Sequence, residues 1–485
     1  MSTTVSDTVS VTVPTIFVIF GITGDLSQHK LLPALFGLFT HNLLPKKFKI
    51  VGFSRREWSQ NDLHIFVREI LNSRLSSNLS SKKSEIPDED TQKVIKDFLD
   101  HIEHAKGVFD NPKAYTDLKQ QLDKIDAGFG QCTNKLLYLA VSPSFYKVIF
   151  KQLANSGLNI PCGGEFGWTR ILVEKPFGKD AKTAQKLEVQ LSKIFQESQI
   201  FRIDHYLAKE TVQNILAFRF SNSIFEQIWN AKMIEKVYIQ VTEKDGIKNR
   251  GDFYDGIGAL RDFGQNHLLQ MLAIIAMDRP VTMHGDDVRK MRASILKKLI
   301  FSKNAGKNSK IDEQITRGQY QGFQQEKGVA PDSQTETYFR LPVFIATNRW
   351  KNVPFILESG KALKESKAEI AVYFKRLDYA EQNILRFKIQ PNEGIEIDLW
   401  IKKPGFEKEY QQKVLAFSYE ASEFENEIPD AYERVLFDCV RGDQTLFAST
   451  DEVKYSWKFI TPILRKWKKL PLVSYVSGSN GPIKK

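Results

Sequence analysis

TIFVIFGITGDLS, residues 15–27, decides how the first part of this chain folds. The apolar run 15–20 reads as a strand buried on both faces, and a helical pattern follows from the turn to about Phe39. Between them, Gly21 allows a tight turn and Gly24 lets backbone approach a pyrophosphate. Ser27 is small enough for the helix to pack close to the strand. The helix N-terminus then offers unpaired N–H groups and a partial positive charge to phosphate. The spacing G-x-x-G-x-x-S is a variant of the dinucleotide fingerprint. A glycine turn between strand and helix also serves any parallel α/β sheet, so the loop alone is not decisive.

Outward from this loop the same alternation repeats. FKIVGF (48–53), KLLYLAV (135–141) and RILVE (170–174) read as strands. Helical stretches follow at 61–75, from near Pro143, and at 180–195. Strand–helix alternation predicts a parallel sheet covered by helices. The polar, Ser-rich segment 76–90 reads as a surface loop within this first domain. The second half changes character. Helical patterns at 206–220 and 256–276 flank the strand-like KVYIQVTE (236–243). EIAVYF (369–374), ILRFKI (384–389), IEIDLW (395–400) and VLAFSY (414–419) then predict one large antiparallel sheet. The expected fold is an α/β Rossmann-like coenzyme domain, residues 1–203, and a larger α+β domain with a mostly antiparallel sheet, residues 204–485.

Composition sets outer bounds. The 485 residues are 42% hydrophobic, enough for a substantial core and unlike a disordered chain. No apolar run is long enough to span a membrane. The start, MSTTVSDTVSVTVP, lacks the basic and apolar regions of a secretory signal. Cys132, Cys162 and Cys439 are far apart in sequence and suggest neither a metal site nor a disulfide framework, which fits a cytoplasmic location. The net charge of +11 invites a nucleic-acid reading, but the basic residues form no long stripe, and no nucleic-acid partner is expected.

The second strand ends at Gly52-Phe53-Ser54-Arg55-Arg56. An NAD-selective site places an acid here for the ribose 2′-hydroxyl. This chain places a hydroxyl and two arginines, and Arg55 suits a 2′-phosphate, so the cofactor expected is NADP. Lys175, in EKPFG, stands at the carboxyl end of a strand, where open sheets bind ligands. In RIDHYLAKE (202–210), His205 and Lys209 are four apart, so one helical face could present both to a phosphate. Asp204 suits either a helix N-cap or chemistry. His267 lies on an apolar stripe with Leu260, Phe263, Gly264 and Met271, as a core histidine or as a general base. Gly258 and Gly264 are unusual inside a helix and suggest a close approach of backbone or ligand.

GITGDLS, EKPFG, RIDHYLAKE, RDFGQNHLLQML, PFILESGKAL and PDAYERVLFD occur in this order. Together they closely resemble the glucose-6-phosphate dehydrogenase family, from about Phe17 to the tail. The resemblance implies oxidation of glucose 6-phosphate at C1 to the lactone, with hydride transfer to NADP. It implies a homodimer, or a dimer of dimers, without metal. By resemblance His267 matches the catalytic base and Asp204 its paired carboxylate. His205, Tyr206 and Lys209 match the substrate-phosphate grip, and Lys175 lies between sugar and coenzyme. Glu243, Asp262 and Lys361 match sugar contacts. Gly21, Ile22, Thr23, Gly24, Asp25, Leu26, Ser27, Arg55 and Tyr138 match coenzyme contacts. Departures are Ala208 in place of the family's Gly, and Gln28 in place of a basic residue, with Lys30 retained. The competing class is an inactive sugar-phosphate or NADPH sensor, which would have no need of a base.

Overall fold

Strand β1 (Thr15–Phe20) is buried along its whole length, as its apolar run requires. It lies between β2 (Phe48–Ser54) and β4 (Asn134–Leu139), parallel to both. β3 (Ile102–Lys106), β5 (Thr169–Val173) and β6 (Ile200–Ile203) extend the same parallel sheet. A late two-residue strand, β16 (Phe447–Ala448), pairs antiparallel with β6 and completes the order β16-β6-β5-β4-β1-β2-β3. The computed structural model describes residues 13–78, 89–162, 167–301, 315–376, 381–419, 428–467 and 469–482.

The chain forms two compact units. The first comprises Met1–Phe177, Lys186–His205 and Asp430–Ala448; the second comprises Gly178–Gln185, Tyr206–Pro429 and Ser449–Lys485. A single cut between 203 and 204 therefore misses the return of 430–448 to the first sheet. Its cause is local: Phe447 pairs with Ile203, and its ring meets Phe201 edge-on at 4.7 Å. Two strand residues carry too little pattern to be read from sequence.

The second unit holds a ten-stranded sheet. Its strands are β7 (Ile234–Thr242), β8 (Leu299–Ile300), β9 (Thr316–Tyr320), β10 (Tyr338–Ile345) and β11 (Phe355–Gly360). β12 (Lys367–Phe374), β13 (Ile384–Gln390), β14 (Gly394–Lys402), β15 (Tyr410–Ser418) and β17 (Leu472–Tyr475) complete it. The order is β15-β14-β13-β12-β7-β11-β10-β9-β17, with β8 on β10. Most neighbours are antiparallel; β7 with β11 and β9 with β17 are parallel. The parallel pair matters for function, because it releases Glu243 and Lys361 at the same end.

Three expectations need correction. The helix expected over 206–220 begins only at Glu210. Lys209 is its N-cap with extended backbone, φ −69° and ψ 135°, so neither Asp204 nor His205 lies on a helix. The turn before it buries Tyr206, Leu207 and Ala208 in succession, and that burial overrides helical propensity. The helix expected over 256–276 begins at Leu260. Gly258 has φ +78°, and a Cβ there would meet the Glu336 carboxylate at 2.4 Å. Gly264 is inside the helix and makes room for the Leu260 side chain and the Phe339 ring, not for backbone or ligand. Finally, Cys132 and Cys162 are brought together: their sulfurs and an Asp126 oxygen all lie within 4.8 Å of one another. The surface loop expected at 76–90 falls mainly on 79–88, outside the described residues; its flanks belong to the helices Gln60–Asn78 and Glu89–Leu99. No helix among the described residues is long and apolar enough to cross a membrane.

Glu358 on β11 is buried and accepts a hydrogen bond from the Tyr338 hydroxyl at 2.8 Å. Burial pushes its carboxyl up to about 7. An unfolded glutamate releases its proton near 4.3, so the folded state binds the proton more tightly. Below that value the site carries no penalty. Stability then falls as pH rises to about 7, by on the order of 3 kcal/mol. Glu358→Gln keeps the hydrogen-bond acceptor and removes the charge. Denaturant unfolding should show a gain at pH 8 of about 1–3 kcal/mol that shrinks toward zero as pH falls below 5. An equal effect at both ends of the range would contradict this.

Candidate active site

In the first unit the loop after β1 is set by its own backbone. Gly21 has φ +87°, and a Cβ there would meet the Ala140 carbonyl and Val141 at 2.7 Å. The Gly21 carbonyl accepts from Gly24 N at 2.9 Å and from Ser27 Oγ at 3.0 Å. Ser27 is fully buried, and its hydroxyl serves to fold the loop. Gln28, the family departure, braces the loop through Nε2 to the Thr23 carbonyl at 3.1 Å. Ile22 is buried against Gly52, where any Cβ would meet it at 2.5 Å. Asp25 is exposed, while Thr23, Gly24 and Leu26 are half-buried. Residues Ser27–Leu31 are π-wound, with i→i+5 hydrogen bonding, before the regular helix Leu32–Thr40. A small, glycine-walled loop at a helix start fits a pyrophosphate.

The three charges after β2 divide cleanly. Glu57 accepts from Lys106 at 2.7 Å, which holds its carboxyl below the usual range. The Arg56 guanidinium lies over the Trp58 ring at 5.6 Å. Arg55 is exposed and has no ion pair among the described residues.

Lys175 follows β5 and is half-buried. Beside it, Glu174 accepts from Tyr138 Oη at 2.6 Å and from the Tyr432 hydroxyl. Desolvation raises the Glu174 carboxyl, opposed by these hydrogen bonds and by Lys175. Tyr138 is 1% exposed, and its hydroxyl bonds the carboxylate next to Lys175. No local pattern points to the Tyr432 link, which joins positions far apart along the chain. Asp204, just after β6, is buried; His205 is half-buried, with its ring parallel to that of Tyr432 at 6.4 Å.

In the second unit β7 and β11 run parallel, with Thr242 opposite Gly360. The next residue of each strand is therefore Glu243 and Lys361. The buried Lys361 ammonium donates to Glu243 Oε2 and lies 3.8 Å from Asp262 Oδ2. The rings of Tyr254 and Phe263 stand 5.3 and 5.4 Å from the same ammonium. Asp262 comes from the segment Leu260–Leu268, which is also π-wound. π-helical turns are rare and concentrate at functional sites. Glu336 starts this segment by accepting from Leu260 N at 3.2 Å. Sequence reasoning missed Glu336, because a buried carboxylate capping a distant helix leaves no local signal.

His267 occupies the last turn of that segment and is fully buried. The Tyr206 ring lies 4.5 Å from its imidazole, and the Phe263 ring meets it at 5.6 Å. These rings wall the imidazole from bulk water, and Asp262 stands on the same segment. The second unit thus gathers a base candidate, two carboxylates and an ammonium. Lys209 lies 3.9 Å from Glu393 Oε1.

Known proteins match along nearly the whole chain. A family model described as "Glucose-6-phosphate dehydrogenase, NAD binding domain" matches residues 18–214. Its partner, "Glucose-6-phosphate dehydrogenase, C-terminal domain", matches residues 216–485. Glucose-6-phosphate 1-dehydrogenase of Chlamydia muridarum is 36% identical, over 97% of this chain and 94% of its own. The Bacillus subtilis enzyme of the same name is also 36% identical, over 96% and 95%. A solved glucose-6-phosphate dehydrogenase in complex with its substrate glucose-6-phosphate superposes with a TM-score of 0.86 at 33% identity, covering 96% of this chain and 95% of that one. The chain belongs to the glucose-6-phosphate dehydrogenase family.

Proposed function

We propose that this chain oxidises glucose 6-phosphate at C1 to the lactone, with NADP as the hydride acceptor. The observation that carries the reading is His267, buried between aromatic rings on the segment that also presents Asp262 to Lys361. Oxidising a hemiacetal carbon removes one hydride and one proton. His267 takes the proton from the C1 hydroxyl, and Asp204 is assigned as the carboxylate that orients it. Glu243 and Asp262 accept hydrogen bonds from sugar hydroxyls, and Lys361 holds the two carboxylates in place. His205, Tyr206 and Lys209 are assigned to the substrate phosphate, and Lys175 to the region between sugar and coenzyme.

NADP, when bound, supplies the two-electron acceptor. The residues present fit it. Gly21 to Ser27 form a cradle whose close backbone packing excludes a side chain at Gly21. Arg55 is the cation after β2 not engaged with Glu57 or Trp58, and it is assigned to the 2′-phosphate. Arg55→Ala should raise KM for NADP by about 10- to 100-fold and change KM for NAD by much less. Equal losses for both coenzymes would remove this role. An inactive sensor gains no support from a retained base.

The oligomer is read as a homodimer through the sheet of the second unit. Its support is a run of exposed apolar side chains on β14 and β15, among them Ile401, Val414, Leu415 and Phe417. Sedimentation of the purified chain tests this; a monomer at micromolar concentration would contradict it.

A further inference from the structure

Beneath the parallel sheet of the first unit sits a thiol cluster that the proposed reaction does not use. Cys132 lies just before β4, and Cys162 lies on the connection to β5. Their sulfurs lie within 4.8 Å of each other, and the Cys162 thiol donates to Asp126 Oδ2 at 3.8 Å. Lys135, on β4, is buried; its ammonium donates to Cys162 Sγ at 3.4 Å and to Asp126 Oδ2 at 2.8 Å. Thr133 Oγ1 fixes the other Asp126 oxygen at 2.6 Å. Gly167, with φ +87°, closes over the pair: a Cβ there would lie 3.4 Å from the Cβ of each cysteine. Cys162 is exposed, Cys132 half-buried, and the third cysteine, Cys439, is buried elsewhere.

We propose that Cys132 and Cys162 form a redox pair that closes to a disulfide when the protein meets a hydroperoxide. Two sulfurs and a carboxylate could also suggest a metal. Here the Lys135 ammonium already occupies the carboxylate and one sulfur, and it repels a second cation. The same ammonium stands against the sulfur that would attack an oxidant, 3.4 Å from Cys162 Sγ. Cys162 is the sulfur within reach of solvent. Its sulfur attacks one peroxide oxygen, the O–O bond breaks, and a sulfenic acid forms with release of water. Cys132 then attacks the Cys162 sulfur, the S–S bond forms, the S–O bond breaks, and a second water leaves. Two thiols and one hydrogen peroxide give one disulfide and two waters.

The crosslink ties the segments entering β4 and β5, at the end of the sheet opposite the Gly21 loop. It should therefore leave kcat and KM unchanged and raise the thermal midpoint. The test treats the reduced full-length protein with hydrogen peroxide and then counts thiols after denaturation. The expected count falls from three to one, with an intact mass lower by about 2 Da, a Cys132–Cys162 linked peptide, and reversal by dithiothreitol. Cys162→Ser should lose the crosslink and keep its activity, and Lys135→Met should slow its formation. Three thiols remaining, thiol loss only as added oxygen or as crosslinked chains, or one chelator-removable zinc per chain would each overturn the proposal.

Discussion

His267→Asn is expected to lower kcat by about 10³- to 10⁴-fold while KM for glucose 6-phosphate changes little. The His267 ring is enclosed by Tyr206 and Phe263, whereas the sugar contacts are assigned to other side chains, the ion cluster of Lys361 with Glu243 and Asp262. Sugar contacts assigned to that cluster should survive the substitution. Asparagine keeps polarity but cannot accept a proton at neutral pH. The shorter side chain leaves a small void under the Tyr206 ring, costing about 1–2 kcal/mol, which a protein of this size tolerates. Coenzyme and substrate binding measured by quenching or calorimetry distinguishes a missing base from a damaged fold. Turnover within about tenfold of the parent would remove His267 from the role of base.

The largest expected loss of stability comes from Arg292→Met. Arg292 and Glu452 are both fully buried, with Nε to Oε1 at 2.7 Å, and they join the helices Gly285–Lys297 and Thr450–Trp467. The other Glu452 oxygen accepts from Ser449 N and Oγ at 2.7 Å each. Removing the guanidinium leaves a buried carboxylate with half its partners, at a cost of about 3–5 kcal/mol. Arg292→Met combined with Glu452→Gln should recover a substantial part of that loss, since the amide carries no charge and still accepts from Ser449. Urea unfolding of the two variants side by side measures this. A double variant no more stable than Arg292→Met would mean that packing, not the uncompensated charge, sets the cost.

The sequence made some of this architecture plain and hid the rest for identifiable reasons. β1 was legible because six buried residues in a row meet a glycine turn. β12 to β15 were legible because their strands separate cleanly at turns. β9 and β10 were not: Gly318 interrupts the first, and Pro342 breaks the pattern of the second. At RIDHY the residue types were right for a site, but the expected helix was not there. Burial of three successive residues made a turn, with the helix starting only after Lys209. The remaining site features are long-range. Glu336 starts the His267 segment and Tyr432 reaches Glu174, each across distances along the chain that no local pattern records. The thiol pair is of the same kind: Cys132 and Cys162 look unrelated until β4 and β5 lie side by side.

Every role assigned above depends on turnover of glucose 6-phosphate with NADP. The direct measurement is the rate of NADPH formation, read by nicotinamide absorbance, with purified protein and saturating NADP, with and without glucose 6-phosphate. A substrate-dependent rate with kcat on the order of 1–10³ s⁻¹ is predicted. Protein that binds both molecules and produces no NADPH would contradict the assignment and restore the reading of a sensor.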